Sequence, residues 1–151
     1  MKILVATDGS DHAVEAAASG LAVLGEAESV TLVCVVHTPA VVSSGMESGF
    51  AGGMATPEVV DAAWVGAKEE ADESIDRTIA GLPAGQNIER RVETGEPGLA
   101  VVAAAQELGA DVVVIGSRGR GAIKRALLGS VSTHVVHNAP CPVLVVNSKD
   151  D

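Results

Sequence analysis

Aromatic side chains are almost absent from this chain: its 151 residues include one Trp, one Phe and no Tyr. A core without rings must be built from Val, Leu, Ile and Ala, which suits parallel strands buried on both faces under small-residue helices. Long apolar runs are missing as well. None approaches the roughly 20 residues that a membrane span needs. The opening KILVAT stops at Asp8, too soon for a signal peptide. Cysteine is scarce: Cys34 and Cys141 lie in separate apolar stretches and fit no metal or redox spacing. The simplest expectation is a reduced, cytosolic, one-domain protein spanning residues 1–151, with a Cys34–Cys141 disulfide as the alternative.

Positive charge is scarce too, since the formal net charge is -10. There is no general basic face to displace counterions, which argues against nucleic acid as a partner. One segment inverts this balance. Between Asp111 and Asp150 there is no acid, although the chain holds 20, and Arg118, Arg120, Lys124 and Arg125 cluster inside that gap. Buried strands with no room for charge explain part of the clearing, but not the clustering. For Lys124 and Arg125 a solvated helix face is the better reading; for the segment as a whole, an anion is the expected guest.

Apolar runs alternate with helical patterns. Strands are expected at 2–7, 29–36, 87–94, 111–116 and 142–147, the third polar enough to lie at a sheet edge and the fourth apolar enough to be internal. The first helix carries Val14, Ala17, Ala18, Leu21 and Leu24 on one face and stops at Gly25. The second starts at Thr56-Pro57-Glu58, has its stripe at Val60, Trp64, Ala67, Ala71, Ile75, Ile79 and Leu82, and ends at Pro83-Ala84-Gly85. Pro97 opens a third that Gly109 closes, and a fourth spans about 130–138. Residues 38–56, rich in Gly, Ser, Ala and Met, are expected to form a mobile loop. Five strands with four intervening helices describe one doubly wound α/β domain with a parallel sheet.

In such a sheet, ligands sit beyond the carboxyl ends of the strands. The first strand delivers Asp8, Gly9 and Ser10 there, and the fourth delivers Gly116, Ser117 and Gly119. Glycines permit positive φ and close approach to amide N–H groups, and the helix beginning near Ser130 adds its positive end. Phosphate is the obvious anion. A Walker loop fails, because Ala122 stands where its lysine belongs, and the dinucleotide fingerprint fails at Lys124. What fits is G-x-x-G, nine residues, then G-S: Gly116, Gly119, Gly129 and Ser130.

With ILVATDGS at the start, TGEP before the third helix, ADVVVIGSRGRG, LLGSVS and the closing APCPVLVV, this arrangement resembles the ATP-binding branch of the universal stress protein family over nearly the whole chain. The resemblance implies an adenine nucleotide alpha hydrolase-like fold with sheet order 3-2-1-4-5 and a nucleotide between strands one and four. It places Ala6, Thr7 and Asp8 on the adenosine side, with Asp8 near ribose and a Mg²⁺ or Mn²⁺ ion, and Val35 against adenine. Gly116, Gly119, Gly129 and Ser130 would hold phosphates, with Ser117, Arg118, Arg120, Val131 and Ser132 close by. It also implies a homodimer through the last strand, Pro142 to Asn147.

Each residue has a plainer reading. Asp8 either binds ligand or merely begins the first helix; Ser130 either caps the last helix or bonds a phosphate. The glycines alone amount to a turn and a helix start. His134 and His137, three apart without a third ligand, read as helix-surface residues, and Trp64 as core or interface packing. No constellation looks catalytic, and Asp8 is the only acid expected near the phosphates. The expected function is an ATP-binding stress protein acting by conformation or partner binding, without nucleic acid or membrane. The alternatives are a slow ATPase or self-phosphorylating enzyme, an AMP- or cyclic AMP-binding protein, and a nucleotide-independent dimeric scaffold.

Overall fold

A computed structural model describes residues 1–37, 56–119 and 128–147. The 38–56 loop, apart from Thr56, lies outside them, as do Arg120, Lys124 and Arg125. Five parallel strands, β1 (Lys2–Ala6), β2 (Ser29–Val36), β3 (Ile88–Thr94), β4 (Val112–Gly116) and β5 (Val143–Val146), form one sheet in the order β3-β2-β1-β4-β5. Between them run α1 (Asp11–Leu24), α2 (Pro57–Ala80), α3 (Pro97–Leu108) and α4 (Ser130–Asn138). The register places Ile3 beside both Val30 and Val112, and Val113 beside Val143. The polar β3 is an edge strand, and β4 is buried throughout between β1 and β5.

Alternation along the strands divides the core in two. Ile3, Val5, Leu32 and Val114 face α1 and α2, meeting Ala17, Leu21, Ala71 and Ile75. Leu4, Val33, Val113 and Ile115 face α3 and α4, meeting Val101, Ala104, Ala105 and Val135. Lack of rings sets the spacing of these layers. A Cβ on Gly20 of α1 would lie 2.4 Å from Cγ1 of Val114, and one on Gly81 would lie 2.4 Å from Cγ1 of Val14. Backbone therefore rests directly on valine, and packing without large side chains stays dense. Both cysteines are free thiols, and burial, then the charge of Asp111, pushes the Cys141 thiol up.

Two expectations need correction. The buried stripe of α1 is Ala13, Ala16, Ala17, Gly20 and Leu21, so Val14, Ala18 and Leu24 flank the contact. A helix pressed close to a sheet gives its centre to the smallest residues and its margins to larger ones. Helix α2 ends at Ala80 and not at Pro83: Gly81 lies against Val14 and serves as the C-cap. Trp64 is half-buried against the α1–α2 core. No helix among the described residues is long and apolar enough to cross a membrane.

Candidate functional site

β1 and β4 are neighbours, yet the chain leaves them toward opposite faces, to α1 on one and α4 on the other. This is the topological switch at which open α/β sheets form a crevice. A cavity of ≈ 660 Å³ opens there, at the carboxyl ends of β1, β2 and β4. Small-molecule sites generally occupy roughly 300–1,000 Å³.

The β1 side is a fixed turn. The Thr7 N–H donates to the Val33 carbonyl at 2.9 Å and carries the sheet one residue past the strand. Asp8 Oδ1 then accepts the Ser10 N–H at 2.9 Å, while Ser10 Oγ accepts the Ala13 N–H at 3.2 Å. Ser10, not Asp8, is therefore the N-cap of α1, and Asp8 lines the cavity instead. Gly9 has φ 72°, and a Cβ there would sit 2.7 Å from Ser74 of α2. Both facts demand glycine.

On the β4 side a second clamp joins strand to helix across the intervening chain. The Ser117 N–H donates to the Val146 carbonyl at 2.9 Å, and the Ser117 carbonyl accepts the Gly129 N–H at 2.8 Å. It also accepts the Ser132 hydroxyl at 2.9 Å. Gly129 is the N-cap and Ser130 the first helical residue, so capping is not the role of Ser130. The N–H groups of Ser130, Val131 and Ser132 belong to the first turn, have no intrahelical acceptor and receive no side-chain cap among the described residues. With the helix dipole behind them they offer partial positive charge to the cavity.

The glycines act through proximity and not through left-handed backbone, since Gly116, Gly119 and Gly129 all lack positive φ. A Cβ on Gly119 would lie 2.9 Å from Asp8 Oδ2, so the two strand ends meet across bare backbone. One on Gly129 would meet only ordinary contacts, the nearest being the Ser117 carbonyl at 3.5 Å.

The structure brings Ala6, Thr7, Asp8, Val35, Gly116, Arg118, Gly119, Gly129, Ser130, Val131 and Ser132 to the cavity wall. Ser117 lies behind it, 3% exposed. Arg120 falls outside the described residues. Sequence reasoning missed His37 after β2, Glu70 and Ser74 of α2, and Pro97 and Val101 of α3. Glu70 joins Asp8 as a second acid of the cavity wall. The signal was available: the expected stripe includes Ala67 and Ala71, and Glu70 and Ser74 share that face at spacings of three and four. Arg77, Arg90 and Arg91 pair with carboxylates elsewhere, Arg91 with Glu93 and Glu107. Arg118 is in the wall.

The rim is formed by α3. Glu96 Oε2 accepts the Leu99 N–H at 2.7 Å as the N-cap, and that bond holds its carboxyl below the usual range, with His134 and His37 adding smaller effects of the same sign. His134 packs against the first turn of α3, where a Cβ on Gly98 would lie 2.9 Å from its ring, and His137 is exposed. The described residues contain no group of three or more potential ligands able to hold a metal by themselves.

Fold and site together define an open α/β domain with a crevice at its switch point that the N-terminus of α4 faces. The chain belongs to the universal stress protein family, which matches residues 1–147. It is 32% identical to universal stress protein MJ0531 of Methanocaldococcus jannaschii over 147 residues, 96% of this chain and 81% of that one. A universal stress protein solved in complex with cAMP shares the fold with a TM-score of 0.61 at 24% identity, covering 97% of this chain and 96% of the other. A family protein of Arabidopsis thaliana with AMP bound gives a TM-score of 0.63 at 20% identity, covering 99% and 94%.

Proposed function

We propose that the protein binds ATP in this crevice as its magnesium complex and acts as a nucleotide-dependent regulator in the stress response, through conformation or partner binding and with little turnover. One observation carries the reading: the first turn of α4 and the Asp8 carboxylate face one cavity, and the bare backbone of Gly119 comes close to Asp8 Oδ2. Phosphates belong at α4, where Ser130 and Arg118 adjoin the open N–H groups. The apolar end of β2, with Val35, suits adenine, and Ala6 and Thr7 border the sugar. Asp8 offers a hard oxygen of the kind Mg²⁺ or Mn²⁺ takes from protein.

A homodimer through β5 is part of the proposal. Val143 to Val146 form an apolar edge strand, each residue only partly buried, and pairing with its own copy about a two-fold axis closes such an edge symmetrically. A cytoplasmic location completes the reading. The relatives solved with cAMP and with AMP favour a second one, in which the same cavity prefers a monophosphate. Mass spectrometry of the nucleotide released on denaturing the purified protein separates them. ATP supports the first reading and AMP or cyclic AMP the second, while recovery of no adenine nucleotide, with no binding on titration, returns the protein to a scaffold role.

A further inference from the structure

Two hydroxyls at the base of the cavity form a directed chain. Thr78 of α2, fully buried, donates its hydroxyl proton to the Ser74 carbonyl at 2.8 Å. Its oxygen lies 2.8 Å from that of Thr7, 71 residues away in sequence. A hydroxyl has one proton and two acceptor sites. With the Thr78 proton committed to Ser74, the Thr7 proton must point at Thr78. The Thr7 oxygen in turn accepts the Gly9 N–H at 3.1 Å. Bonding therefore runs from the Gly9 amide through Thr7 and Thr78 to the Ser74 carbonyl, and Gly9 also rests bare against Ser74. The turn that aims Asp8 is tied to α2 twice, once by hydrogen bonds and once by contact.

We infer that Thr78 is a positioning residue of the nucleotide site: it holds the Thr7–Asp8–Gly9 turn, and through it the Asp8 carboxylate, without itself lining the cavity. The effect on affinity rests on the nucleotide reading above. Valine at position 78 keeps the shape of threonine but leaves the Thr7 proton without an acceptor in a place that is only 7% exposed. An unmatched buried hydroxyl is costly, so the turn reorients and carries Asp8 away from Gly119.

The test compares Thr78→Val, Thr78→Ser and the control Ile75→Val, a fully buried position on the same helix, by melting and by calorimetric titration with Mg²⁺–ATP. Expected are affinity at least about tenfold weaker for Thr78→Val, within about twofold of wild type for Thr78→Ser, and unchanged for Ile75→Val despite a lower melting temperature. Unchanged affinity in Thr78→Val, or an equal loss in Ile75→Val, overturns the assignment. Amide exchange at Gly9 provides a ligand-free readout. Faster exchange in Thr78→Val, reversed in Thr78→Ser, supports the relay even if the wild-type protein binds no ATP and the nucleotide reading itself fails. A wild-type Gly9 amide exchanging at the rate of an open loop overturns it, whether or not Thr78→Val folds.

Discussion

Gly119→Glu is the substitution on which the phosphate-binding argument stands or falls. The first atom of any side chain there lies 2.9 Å from Asp8 Oδ2, inside the closest approach that a carbon tolerates. The backbone is unstrained, because Gly119 lacks positive φ, and the residue is exposed, so the fold has no stake in the glycine. Glutamate places a carboxylate on the side where phosphates approach, and at this exposed position its chain can turn away from Asp8 in the unliganded protein. Two like charges about 4 Å apart cost about 4 kcal/mol at an effective dielectric of 20, and the solvent at this open position reduces that. A loss of about 3 kcal/mol corresponds to about a hundredfold in affinity.

Calorimetry with Mg²⁺–ATP and a thermal melt on the same sample are the assay. The expected result is a hundredfold weaker complex with a melting temperature within a few degrees of wild type, as for surface substitutions of under about 0.5 kcal/mol. Gly119→Ala, which adds only the close methyl, should cost about 1 kcal/mol. Gly129→Ala should bind within about threefold of wild type, since its methyl meets nothing closer than 3.5 Å and its φ of -72° suits alanine. Normal binding by Gly119→Glu with a lowered melting temperature would refute the reasoning and reduce the glycine to a turn residue.

Other consequences are tested separately. Val145→Lys in β5 should convert a dimer to a soluble monomer in sedimentation, and a wild-type protein already monomeric at micromolar concentration removes the β5 interface. Glu96, whose carboxyl is held low chiefly by the Leu99 N–H, should stabilise α3 at neutral pH and lose that contribution as the pH falls through its lowered folded-state value. Urea unfolding of Glu96→Gln should show a flatter acid limb, and Glu96→Ala should cost about 1 kcal/mol at neutral pH, the usual value of an N-cap.

Much of the fold was legible because the chain alternates short apolar runs with capped helices and marks its boundaries with Gly and Pro. Pro97 and Gly109 bound α3 where expected, and the run 29–36 is β2 in full. Sheet order came from family resemblance, since period and length cannot say that β1 lies between β2 and β4. The carboxyl-end loops of the site were legible for the same reason as the fold, whereas its α2 wall was not. Glu70 and Ser74 look like solvent-facing helix residues until the helix is laid over β2. Ser117 has a structural role that the motif does not announce. Its carbonyl accepts from the Gly129 N–H and the Ser132 hydroxyl and so ties β4 to the start of α4.

How such a site could report on a nucleotide follows from what the cavity touches. In the proposed complex the β2 end and the turn after β1 would meet the base and sugar, while the first turn of α4 and Arg118 would meet the phosphates. The two helix layers lie on opposite faces of the sheet. A ligand spanning both ends bridges the layers, and one at a thousand times its dissociation constant stabilises the bound state by about 4.1 kcal/mol. That is a large part of the roughly 5–15 kcal/mol that holds a domain folded. If α4 reads phosphate, affinity must rise from adenosine through AMP to ATP, and by at least about tenfold overall, about 1.4 kcal/mol. Removing Mg²⁺ with EDTA should weaken ATP more than AMP, because a cation shared between Asp8 and a polyphosphate needs both. Titration of the three ligands with and without the metal measures this directly. Equal affinity for adenosine and ATP would take the phosphate role away from α4, and equal ATP affinity with and without metal would take Asp8 out of the cation's ligand shell.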